Sequence, residues 1–378
     1  MLNVSGHEGK NGRVRFGRKE KNMKHMIYVG SRTTRERNAR GNGIEVYESD
    51  YSTGIWKHLQ TVEGLENPSY LCMDKTHQYM YTVHGDQRKA SALRIDRESG
   101  RLTLINTVDI QGQNPVYLLP DKSNRFILIA CLGTENIVAV ERNEDGSLGQ
   151  VAFNHHLPGA EEGKNSCPHQ IFYDREEKYL IVSAKGGRNI TTGAKTGMNV
   201  FTFSPEEGFR LVYSLGGRNL DECRHVAVHP NNRFVYQVNE RRNVVISWVL
   251  NNETGEMTPF QTSQTLPDDC ADPKLILASG IAITKDGRFV YVSNRGHDSV
   301  AMYEADPVSG KLSPLGFVPS MGDFPRFLGL DPESRFLYVA NERSDNIAQY
   351  EVQKNGSLVL TNQEIKTGSP VCILFADL

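Results

Sequence analysis

The stretch "YVSNRGHDSV" at residues 291–300 runs apolar and β-branched, then stops at Asn294-Arg295. The chain says nearly the same at 338–347, "YVANERSDNI", and at 236–245, "YQVNERRNVV", and more faintly at 128–137, "LIACLGTENI". Marking the centre of each copy gives Tyr28, Tyr81, Leu128, Ile181, Tyr236, Tyr291 and Tyr338, with steps of 53, 47, 53, 55, 55 and 47 residues. A period near fifty is the signature of a propeller or array. In the fifth copy "RHVAVHP", "FVYQVN", "VVISWVL" and "MTPFQTSQTL" read as four short strands, divided by turns such as "NNR" and "NNETGE". The second turn returns as "RESGRL", "NEDGSL", "PVSGKL" and "KNGSL", and no segment shows helical periodicity. The pattern predicts an all-β fold, a seven-bladed β-propeller with four antiparallel strands per blade.

The chain ends test that reading. The first copy starts at "MIYVGS", its second strand, and lacks a first strand. The chain closes on "SPVCILFADL", which aligns with first strands such as "NPVYLLPDK" and "FPRFLGLDP". The C-terminal strand is therefore expected to join blade one and close the ring, removing two open sheet edges.

Composition narrows the function classes. In 378 residues, 38% are hydrophobic, with 15 Tyr and 15 Phe, enough for a large core. The net charge of −2 argues against a general nucleic-acid binder. No apolar run reaches the length of a membrane span. Six cysteines lie far apart with no C-x-x-C, which points to reduced thiols in a cytoplasmic protein. Residues 1–24 carry seven Lys or Arg without an apolar stretch, and read as a basic, disordered extension or a start ahead of Met23 or Met26. Residues 25–378 read as one propeller domain, a monomer or weak homo-oligomer.

Strand order places the chemistry. If the first strand lies innermost and runs away from one face, the second returns to that face beside the channel. The residues that end the second strand, Glu240 and Arg295, then converge with those that open the first: His169, Arg224, His225 and Arg326. Charge sorts similarly. The blade-one loop on this face holds Arg32, Arg35, Arg37 and Arg40, and the blade-four loop holds Lys185, Arg188 and Lys195, while the opposite turns lean acidic. One cationic face on a near-neutral protein implies an anionic small-molecule ligand.

The segments "PHQIFYD", "CRHVAVHPNNRFVYQVNE" and "ITKDGRFVYVSNRGHDSV" resemble the lactonase family of seven-bladed propellers, from about residue 26 onward. That family includes propeller-type 6-phosphogluconolactonases and carboxymuconate-lactonizing enzymes. The resemblance implies an active site of one His, two Arg and one Glu, which fall on His169, Arg224, Glu240 and Arg295. It implies lactone hydrolysis, foremost of 6-phosphogluconolactone, with cycloisomerase chemistry on a muconate-like diacid as the alternative. Three departures stand out: "ECRH" where Gly-Pro usually precedes Arg-His, "ASGIAIT" in place of a stretch that more often holds an acid, and the long "RNITTGAKTGMN" in blade four.

Opening a lactone needs a base for water and a cation over the nascent oxyanion. Glu240 or His169 could be the base; Arg224 or Arg295 could hold the oxyanion or a carboxylate or phosphate. His225, Arg326, Lys185 and Arg188 are expected to bind substrate, with Lys185, Arg188 or the blade-one arginines as a remote clamp for a phosphate. Glu342 holds the place of Glu240 in the seventh copy, and the resemblance does not single it out, so it reads as an inert counterpart. Arg224 with Glu240 and Arg295 with Asp298 could instead be structural ion pairs. "NSCPH" and "GRNLDEC" lack the context of a nucleophile. His225 and His229 read as packing rather than metal ligands, and no H-x-H, H-E-x-x-H or calcium loop is present, so no metal and no cofactor are expected. A non-catalytic interaction platform remains the reading from another class, although the blades lack Trp-Asp punctuation.

Overall fold

A computed structural model describes residues 24–50, 52–157, 166–186, 197–216 and 222–378. Of the extension expected over residues 1–24, residues 1–23 lie outside the described residues, as do Arg188 and Lys195. Seven four-stranded antiparallel sheets follow one another, each a meander in sequence order apart from the first. That first sheet combines Pro370–Asp377 with His25–Ser31, Gly43–Asp50 and Ile55–Glu63. The C-terminal strand pairs from His25↔Asp377 to Ser31↔Pro370, and Lys24 and Leu378 exchange backbone hydrogen bonds beyond it. First strands contact one another all the way round, from Pro370–Asp377 through each blade and back. The ring is closed as the chain ends implied.

The repeated phrase is the second strand, and its apolar run reflects where it sits. Tyr79–His84, Phe126–Cys131, Phe234–Asn239 and Phe336–Asn341 are buried at every position, because each is flanked by sheet neighbours and covered by blades on both faces. Strands buried on both faces lose the polar alternation of a half-exposed strand. Fourth strands lie at the rim and alternate, as Leu148–His156 does.

The central tyrosine explains why phrase and turn recur together. Tyr28 donates its hydroxyl hydrogen to Gly100 O in the next blade at 2.9 Å, and Tyr81 to Gly146 O, Tyr236 to Gly310 O and Tyr291 to Gly356 O do the same. A buried phenol needs such a partner. The glycine is required: Gly146 has φ +84, and a Cβ there would run into the Tyr79 ring. In the seventh blade Tyr338 instead accepts from Trp56 and Gln349, and Gln349 donates to Gly54 O across the closure.

Candidate active site at the channel mouth

The inner strands start with a defect that repeats around the ring. Register slips between Pro168 and Gln170, between Cys223 and Val226, and between Pro325 and Phe327, and likewise in the other blades. Each slip frees one residue of the ladder at the mouth of the channel: Val371, Ser69, Val116, His169, Arg224, Ser279 and Arg326 in blade order. Bulges of this kind bend a strand and re-aim a side chain. The residue ahead of most of these strands has left-handed φ, including Cys167 at 48°, Glu222 at 67° and Phe324 at 66°. Glu222 thus makes in "ECRH" the turn that a glycine would make without strain. All of this ring but Ser279 lines one narrow neck together with Arg32, Tyr70 and His225.

A second ring stands above it, made by the residue that ends the repeated phrase. Aligned on the phrase, these are Arg32, Gly85, Leu132, Lys185, Glu240, Arg295 and Glu342. Blades four to six bring opposite charges together. Glu240 receives Lys185 Nζ at 2.7 Å and Arg224 Nε at 3.3 Å on Oε2, and Arg295 Nη2 at 3.2 Å on Oε1. Three cations thus surround one carboxylate, leaving a formal local charge of +2. Arg295 meets Glu240 and not Asp298, whose Oδ1 accepts the Gly296 and Phe324 N–H groups. The Arg224–Glu240 pair therefore forms, the Arg295–Asp298 pair does not, and Arg295 joins the cluster centred on Glu240 instead.

Backbone carbonyls fix the two arginines. Arg224 Nη1 donates to Ser279 O at 2.8 Å, and Arg295 donates to Leu277 O and Ala278 O, each at 3.3 Å. Ser279 belongs to the unusual "ASGIAIT" stretch, and it holds Arg224 through its backbone carbonyl. Arg295 also lies over the Phe324 ring, 5.2 Å from its centre. The side chains of Arg224, Arg295 and Glu240 are 4%, 5% and 9% exposed, whereas Lys185 and Arg326 keep 20% and 18%. A ligand entering from solvent meets Lys185 and Arg326 first.

His169 lies beside this cluster and its Nδ1 has no partner. Burial, then the charges of Arg224, His225, Lys185 and Arg326, push its imidazole well below its ordinary pKa. It is neutral at pH 7 and available as a base. Burial alone would raise the Glu240 carboxyl, but Arg295, Lys185 and Arg224 overcome that and hold it far below the usual carboxylate range. An anion so stabilised is a poor base. The thiol of Cys167, two residues before His169, is pushed up to about 11 by burial, which disfavours the thiolate nucleophile.

His225 packs its ring 5.1 Å from that of His169 and edge-on to Tyr70 and Tyr117. Its Nδ1 accepts from Arg224 Nη1 at 3.1 Å. With Tyr70 it separates the neck from a cavity of about 590 Å³ in the opposite half of the channel. His225 thus supports Arg224 from behind. His229, at the far end of the same strand, accepts from Asn231 N and packs on Phe234. Among the described residues no three His, Cys, Asp or Glu form a metal-holding group.

Two expectations are revised. Lys185 is no remote clamp but a direct partner of Glu240, and its alignment signal was present: "IVSAK" matches "YVSNR" residue for residue in position. Glu342 is no inert counterpart, since it holds Arg326 at 3.2 Å in the same mouth. The blade-one arginines are also less free than their count suggested. Arg32 and Arg37 share Asp86, and Arg40 pairs with Asp345, acids contributed by neighbouring blades.

Residues 26–375 match the model of the lactonase, seven-bladed β-propeller family. A 6-phosphogluconolactonase of Bacillus subtilis is 30% identical over 363 residues, covering 93% of this chain and 98% of the relative. Among solved structures, a periplasmic gluconolactonase of Pseudomonas aeruginosa superposes with a TM-score of 0.82 at 23% identity, covering 93% of this chain and 99% of that one. A putative 6-phosphogluconolactonase of Bacteroides fragilis gives 0.81 at 23% identity over 95% and 99%. At those identities the structures speak for the fold.

Proposed function

From the premise that this chain belongs to the seven-bladed β-propeller lactonase family and is a lactone hydrolase, we propose that its substrate is 6-phosphogluconolactone and that His169 is the base. The observation that carries the reading is a neutral, buried imidazole set against three cations, two of them buried, that share one carboxylate. The lactone carbonyl enters the mouth, and His169 takes a proton from water as the oxygen attacks the carbonyl carbon. Arg224 and Arg295 receive the negative charge that develops on the carbonyl oxygen, where fixed donors in a dry site are worth most. The tetrahedral intermediate then breaks its bond to the ring oxygen. That oxygen takes the proton back from His169, leaving a hydroxy acid. Glu240 keeps the three cations in place against their mutual repulsion. Lys185 and Arg326, the more accessible cations, guide the anion in.

Six free cysteines support a reducing, cytoplasmic setting, where the product would feed the pentose phosphate pathway, and the closed ring suits a protein that works as a monomer. No helix is long and apolar enough to cross a membrane. The test is acid release from freshly made 6-phosphogluconolactone, run beside cyclisation of carboxymuconate. Acceleration of the first alone supports the reading. Acceleration of the second alone assigns the cycloisomerase chemistry instead, and acceleration of neither assigns a platform without catalysis.

A further inference from the structure

Beside the catalytic cluster, a cavity of about 550 Å³ opens between blades seven and one, lined by four arginines, Arg37, Arg40, Arg326 and Arg343, by Phe324, and by two acids, Asp323 and Glu342. Arg326 lines both the neck and this cavity, so the two lie on either side of one side chain. Most of its arginines are engaged: Arg37 with Asp86, Arg40 with Asp345 and Arg326 with Glu342. Arg343 differs. It pairs with no carboxylate among the described residues, and its guanidinium stacks 3.8 Å over the centre of the Phe324 ring. A stacked guanidinium keeps its planar fork free for an oxyanion while the ring limits its motion.

Phe324 carries Arg295 as well, 5.2 Å from the ring centre, so the guanidinium carbons of Arg295 and Arg343 are at most about 9 Å apart. The inner arginine faces the reaction and the outer one faces solvent across a single ring. In a six-carbon lactone phosphate, five bonds of about 1.5 Å separate the carbonyl carbon from phosphorus. Contacts from both forks bridge the rest of the gap. An unphosphorylated lactone of the same skeleton offers Arg343 only a neutral hydroxyl.

We infer that this cavity is the subsite for the terminal phosphate of the substrate, and that Arg343 is the residue that makes the enzyme prefer phosphorylated lactones. The inference rests on the lactonase reading above and adds to it the place of the second anionic group. A charge-assisted fork at a partly exposed site predicts at least about a tenfold effect.

The experiment measures kcat/KM for 6-phosphogluconolactone and for glucono-δ-lactone in the parent, in Arg343→Ala and in Arg88→Ala. Arg88 is an exposed arginine paired with Asp109 that does not line the cavity. The expected result is a ratio of phosphorylated to unphosphorylated kcat/KM that falls at least tenfold in Arg343→Ala and stays at the parental value in Arg88→Ala. A ratio unchanged in Arg343→Ala overturns the inference, and so does an equal fall in Arg88→Ala, which would mark a general field. If the parent hydrolyses neither lactone, the functional reading fails on its own. Calorimetric binding of 6-phosphogluconate and gluconate then decides the subsite: a tenfold weaker Kd for the phosphorylated acid in Arg343→Ala supports it, and equal Kd values overturn it.

Discussion

Replacing His169 by Gln keeps a polar side chain of similar reach and removes the neutral imidazole proposed as the base; His225, neutral as well, has its Nδ1 occupied by Arg224. General-base assistance is worth about 10²–10⁴-fold, so kcat/KM should fall by that factor, roughly 3–5 kcal/mol of barrier. The pH profile of the parent carries a second, sharper expectation. An unperturbed imidazole titrates near 6.5. Burial of His169, followed by the charges of Arg224, His225, Lys185 and Arg326, lowers that value well below 6.5. The neutral, active form therefore persists as pH drops through 6.5, and activity is lost only in more acidic buffer. Initial rates of acid release, corrected for spontaneous opening of the lactone at each pH, give the profile. An acid limb centred at or above 6.5 would falsify the assignment of the base, as would a His169→Gln variant within a few-fold of the parent.

Other perturbations test the same construction from different sides. Glu240→Gln leaves buried Arg224 and Arg295, and the more accessible Lys185, without their shared anion; breaking a buried pair costs about 3–5 kcal/mol, so a clear drop in Tm should accompany the loss of activity, and an unchanged Tm contradicts the cluster. Arg295→Lys keeps the charge but loses the fork that reaches Leu277 O, Ala278 O and Glu240 at once, and kcat/KM should fall at least tenfold, with parental turnover the opposing result. Stability should also decline as pH falls below about 6.5, because the unfolded chain gains protons that buried His169 and His225 refuse, by at most about 1.4 kcal/mol per histidine and pH unit; a Tm flat from pH 7 to 5 in which His169→Gln behaves like the parent argues otherwise. Deleting residues 370–378 removes buried Val371, Cys372 and Ile373 and the partner of His25–Ser31, on the order of 5 kcal/mol in apolar burial alone, so aggregation is expected, and a monomeric protein with parental melting would refute ring closure.

Much of this molecule was legible before any coordinates. The period, the four strands per blade and the closure by "SPVCILFADL" follow from local pattern, because each blade must bury the same strand in the same way. The tyrosine of the phrase and the glycine of the turn recur because one hydrogen bond joins them across every suitable blade boundary, as in Tyr291 and Gly356. Strand order placed His169, Arg224, His225, Glu240, Arg295 and Arg326 at one mouth, and the family resemblance singled out His169, Arg224, Glu240 and Arg295 among them. What the repeat could not state is which charges meet. Lys185, Glu240 and Arg295 end three successive second strands, and only the turn of the ring brings their side chains to one point. Asp86 and Asp345 answer Arg37 and Arg40 from neighbouring blades, so counting charges on single loops overestimated the free positive charge. The pKa order of His169 and Glu240 is likewise a property of burial and of several cations at once. Periodicity is written along the chain, whereas electrostatics at the channel mouth is a sum over all the blades that face it.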